Sequence, residues 1–166
     1  MDTSQSTSPG ISVRSSLAWL WGLLLGGFLV LPTWFLTAHQ PGPWYRSHLV
    51  FHLVAIPLLA VAGWLASRVA RSASPRSARV LAWVVVGAVT ISGLGQLGEL
   101  VAVLGDGGLH SGDELFEEPQ HLVPATFAPT GWLLAILVLV PLSLTTAVST
   151  HRRRRRERVL HSVPAV

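Results

Sequence analysis

The stretch VLAWVVVGAVTISGLGQLGELVAVL, residues 80–104, runs for 25 positions with one charged side chain, Glu99, and one amide, Gln96. Coiled as a helix it would extend about 37 Å, more than the roughly 30 Å of hydrocarbon in a bilayer. Three further apolar blocks, 17–38, 49–66 and 122–148, reach or approach the same length. Half of the 166 residues are apolar and the mean hydropathy is +0.52, which is not the composition of an ordinary soluble domain. The sequence therefore predicts an all-α fold: a four-helix polytopic transmembrane bundle with spans at about 17–38, 48–66, 80–104 and 122–148. Short connections favour an up-down-up-down arrangement. Residues 1–15, rich in serine and threonine, read as a flexible tail. Residues 16–148 form the membrane domain, and 149–166 a basic tail that reads as flexible from Arg152 onward.

Arginine sets the expected orientation, because positively charged flanks stay on the cytoplasmic side. Arg14 precedes the first span; Arg68, Arg71, Arg76 and Arg79 lie between the second and third; Arg152–Arg156 and Arg158 follow the fourth. Only Arg46 falls on the other side, so eleven of the twelve arginines agree with both termini being cytoplasmic in a multi-pass cell-membrane protein. A cleaved signal peptide is the competing reading of the first block, with LTAHQ imitating a cleavage site. That block is too long for such a segment and contains Pro32 and Trp34, so the helix is expected to be retained. The pI near 11.3 would suggest nucleic acid in a free basic protein. Here RRRRRER reads as a stop-transfer flank on anionic headgroups, and no nucleic-acid partner is expected.

Within the spans, Gly22 and Gly26 form a G-x-x-x-G pair suited to close helix packing. Pro32, Pro57, Pro129 and Pro141 are expected to kink their helices. The seven tryptophans mostly fall near span ends, as interfacial anchors do.

The chain has no cysteine and its one methionine is Met1, which leaves imidazole and carboxylate as the available metal ligands. These groups are unevenly placed. His39, His48, His52, His110 and His121, with Glu99, Asp106, Asp113, Glu114, Glu117 and Glu118, all fall toward the outer side. His48 and His52 are four apart and share a helix face. His52 lies roughly 6 Å inside its span and Glu99 roughly 7 to 8 Å inside the end of the third, so the two sit at similar depth. An ionised carboxylate facing lipid would cost several kcal/mol; Glu99 should therefore face the interior beside a partner, first of all His52. Gln96 points from the same face one turn deeper.

The stretch GDELFEEPQHLVP, 112–124, adds Glu118 and His121 at the i, i+3 spacing of Glu-x-x-His elements in carboxylate-bridged metal bundles. One such element is a weak signal, since a dimetal bundle needs two. With Pro119 in the first turn of the last helix, His121 would face inward. Asp106 and His110 stand in too glycine-rich a segment to be read as helix.

The site expected from these residues is a transition-metal centre, zinc, iron or copper, formed by His52, Glu99 and His121 with His48 or Glu118 completing it. The bland alternatives are a buried hydrogen bond from Glu99 to His52 or Gln96, His48 as a cap of the second span, and solvated loop acids. At the level of function, an accessory subunit of a larger membrane complex or a homo-oligomer, with the metal, stands against a purely structural or assembly subunit without one. A b-type haem held by His52 and His121 and a proton-coupled transporter are the remaining readings. No nucleophile with a base, phosphate-binding loop or dinucleotide motif is present.

Overall fold

The computed structural model describes residues 12–37, 44–106 and 119–161. Among these, all but Ser12 and the connection at 73–75 are helical. The first span comprises α1 (Val13–Trp21), a π-helical segment Gly22–Gly26 and α2 (Gly27–Thr37). It is followed by α3 (Trp44–Ser72), α4 (Arg76–Asp106) and α5 (Pro119–His161). Four helical stretches are long and apolar enough to cross a membrane: Val13–Trp34, Arg46–Ser72, Arg76–Gly105 and Pro119–Arg158.

Each span's helix starts three or four residues before its expected start, and the last runs furthest past its expected end. The first helix begins at Val13, because the Ser12 hydroxyl accepts a hydrogen bond from the Ser15 amide at 3.1 Å and caps it. The last helix continues through the arginine run to His161. Arginine is a good helix former, and Arg153 and Glu157 pair one turn apart at 3.0 Å on that exposed surface.

The buried residues of α3 and α4 fall on a seam with alternating spacings of three and four, and those of α5 do so from Ala128 onward, with His121 seven residues earlier. On α3 the seam reads His48, His52, Ala55, Leu59, Ala62, Ala66, Val69. On α4 it reads Ala78, Ala82, Val85, Val89, Ser92, Gln96, Glu99, Val103, and on α5 His121, Ala128, Trp132, Ala135, Leu139, Leu142. This is the repeat that keeps one face of a helix against its neighbours. The seams are apolar along most of their length and become polar at the start of α3, the end of α4 and the start of α5.

Close approach of α4 and α5 depends on particular glycines. A Cβ on Gly95 would lie 2.5 Å from the Ala128 nitrogen, and one on Gly131 would lie 2.6 Å from the Ala88 oxygen. Gly98 meets Pro124. These pairings descend along α4 as they ascend along α5. The Ser92 hydroxyl donates across the same interface to the Ala128 carbonyl at 2.6 Å. By contrast, a Cβ on Gly22 or Gly26 would meet nothing within 4 Å, so among the described residues the G-x-x-x-G pair makes no close helix contact.

The first span is tied to the last by two indoles. The Trp21 N–H donates to Ser143 Oγ at 2.9 Å, and the Trp132 N–H donates to the Leu24 carbonyl, inside the π segment, at 2.8 Å. Trp132 is thus a core residue and not an interfacial anchor. Trp19, Trp64 and Trp83 are exposed, as anchors should be.

Candidate metal centre

The polar ends of the three seams meet. One ligating atom from each of His48, His52 and Glu99 lies within 4.8 Å of the other two. His52 is 0% exposed, His48 4% and Glu99 8%. His121, also 0% exposed, stands beside this group, its ring centroid 5.6 Å from that of His48 and nearly perpendicular to it. The His48 and His52 rings lie 4.6 Å apart, and Phe51 closes against His52 at 5.4 Å.

Each helix supplies its side chains to the group for a local reason. His48 and His52 are successive seam positions, and because α3 starts at Trp44, His48 lies a full turn inside the helix and not at its end. Gln96 and Glu99 are likewise successive seam positions on α4. Pro119 opens α5, where its missing N–H is no loss, and so delivers His121 to the seam.

The hydrogen bonding is asymmetric. His52 Nδ1 lies 2.7 Å from Gln96 Oε1. With that oxygen as acceptor, Nδ1 carries the proton and Nε2 presents a lone pair. His52 Nε2 in turn lies 3.4 Å from Glu99 Oε2 and makes no hydrogen bond. Two acceptors facing each other in a buried site repel unless a proton or a metal cation stands between them. The spacing fits a metal: two donors bound at about 2.0–2.1 Å to one tetrahedral ion are separated by about 3.3 Å. The polarity also fits, since a metal-bound imidazole usually donates its other N–H to a fixed acceptor, and here Gln96 is that acceptor.

Of the residues singled out from sequence, the fold therefore assembles His48, His52 and Glu99, with Gln96 behind His52 and His121 next to His48. His48 is a member of the group, where the sequence left it as a cap or a completing ligand. The buried bond that was the bland alternative for Glu99 is found instead between His52 and Gln96. Glu118, Glu114, Glu117, Asp113, His110 and His39 lie outside the described residues, as does the side chain of Asp106. No protein-family model, curated protein or solved structure matches the chain.

Proposed function

We propose that this is a multi-pass membrane protein that binds one transition-metal ion through His48, His52 and Glu99, with His121 as a further ligand and Gln96 orienting His52. The observation that carries the reading is the buried His52 Nε2, without a hydrogen bond, facing a Glu99 carboxylate oxygen at 3.4 Å. Imidazole with carboxylate suits zinc, iron(II) or copper(II). The helices run up-down-up-down with the arginine-rich ends and both termini in the cytoplasm, which sets the metal group near the outer face. A haem is not favoured: the His48 ring touches both His52 and His121, so a porphyrin clamped between those two would need the space that His48 fills. Among the described residues no nucleophile with a base accompanies the group, and we assign the chain the role of an accessory subunit in a larger membrane complex.

Elemental analysis tests the metal reading. Full-length protein purified in mild detergent should carry close to one zinc, iron or copper per chain, retained by Glu114→Ala and lost from His52→Ala and Glu99→Ala. Wild-type protein that holds none, even after incubation with each ion, would leave the structural reading, in which His52–Gln96 simply joins α3 to α4. Co-purification of a second polypeptide tests the subunit role separately.

A further inference from the structure

A groove of about 400 Å³ opens at the other end of the bundle, between the start of α1 and the last third of α5. Its lining on α5 begins at Ser143, about 33 Å along the helix from His121, and it is independent of the metal reading. Arg14, His151 and Arg154 line it, and no carboxylate does among the described residues. The glutamate on that stretch of α5, Glu157, pairs with Arg153.

The rest of the lining limits what can bind. Thr150 and Thr146 donate their hydroxyl protons to the carbonyls of Thr146 and Leu142, both at 2.8 Å, so toward the groove their oxygens serve as acceptors. Leu17 and Ala147 are apolar, and the Trp21 indole N–H is already taken by Ser143. A ligand matching this wall needs an anionic group for the guanidiniums, hydroxyls that donate to the threonines, and an apolar part that lies along the span. A free anion would use only the first of these. Basic pockets between helix ends on the arginine-rich side of a membrane are suited to anionic headgroups.

We propose that this groove holds one anionic phospholipid with a hydroxyl-bearing headgroup, its phosphate between Arg14 and Arg154. Native mass spectrometry of the full chain in mild detergent, titrated with phosphatidylglycerol, tests it. Phosphatidylglycerol should bind at least tenfold more tightly than phosphatidylcholine, and Arg14→Gln/Arg154→Gln should lose that tenfold. Arg156→Gln/Arg158→Gln removes the same charge outside the groove and should change affinity less than twofold. Equal losses in the two double variants would mean diffuse attraction to a basic helix and overturn the site. So would displacement of the lipid by millimolar inorganic phosphate, which would mark a free-anion site. Thr150→Val leaves every charge in place, so it reports even if the arginine variant does not fold. Wild type should prefer phosphatidylglycerol to phosphatidylmethanol, which lacks headgroup hydroxyls, and Thr150→Val should narrow that preference to under twofold. A wild type without the preference contradicts the assignment.

Discussion

Gly95→Ala is a single methyl group placed where two backbones meet. Its Cβ would lie 2.5 Å from the Ala128 nitrogen, 2.8 Å from the Ala128 Cα and 2.9 Å from the Pro124 oxygen. Non-bonded contacts settle near 3.5–4.0 Å, so α4 and α5 must separate locally by about 1 Å, and backbone cannot rotate out of the way as a side chain can. Overpacking of this kind costs about 3 kcal/mol, the upper end of its usual range. Alanine recovers about 1 kcal/mol of helix propensity relative to glycine, leaving a net loss of about 2 kcal/mol. Gly93→Ala, two residues away, meets nothing within 4 Å and should show only the gain. The two variants should therefore differ by about 3 kcal/mol, roughly 6–12 °C in the thermal midpoint of a chain this size. The same separation moves Glu99, one turn further along α4, away from His121 on α5. Thermal unfolding in detergent combined with metal content reads both effects: Gly95→Ala should melt lower and hold its metal more weakly, Gly93→Ala should do neither. If Gly95→Ala melts at or above Gly93→Ala, the α4–α5 contact does not have the tightness described.

Gln96→Leu removes the acceptor from His52 Nδ1 and should weaken metal binding about 10- to 100-fold in competition with a chelator, with little change in metal identity. Trp132→Phe keeps most of the ring volume but loses the bond to the Leu24 carbonyl, and should lower stability by about 1 kcal/mol. Trp132→Ala should cost about 3–5 kcal/mol in the same denaturant titration. The native chain has no cysteine, so single replacements report topology cleanly. Ser111→Cys should react with an impermeant maleimide on intact cells and Ser74→Cys only after permeabilisation; the reverse pattern would invert the orientation.

The number and type of spans were legible because bilayer thickness demands long apolar runs, a constraint that survives any detail of packing. Depth arithmetic was also informative: counting 1.5 Å per residue from the span ends put His52 and Glu99 at one level, and they lie 3.4 Å apart. The place of His48 was harder to see, because the apolar block starts at Leu49 while the helix starts four residues before His48. Reading the alternating seam backward from Ala55 through His52 would have put it inside. Glycine spacing misled, since among the described residues Gly22-x-x-x-Gly26 meets no close neighbour while Gly95 and Gly131 carry the close contact. A motif of two glycines states that a helix can be approached, not which face is. Trp132 was misplaced for a related reason: its polar N–H suits the interface equally well, and the fold gives it a buried acceptor in the Leu24 carbonyl. The helical form of the arginine run reflects local propensity that the charge pattern had overshadowed.

Whether His48, His52 and Glu99 together hold one ion is decided by X-ray absorption spectroscopy on protein loaded with one equivalent of zinc. The ion should show nitrogen and oxygen neighbours at about 2.0–2.2 Å with outer scattering from at least two imidazoles, one of which disappears in His52→Ala. A zinc spectrum without imidazole scattering, as from an ion held by water or detergent alone, would contradict binding by these residues.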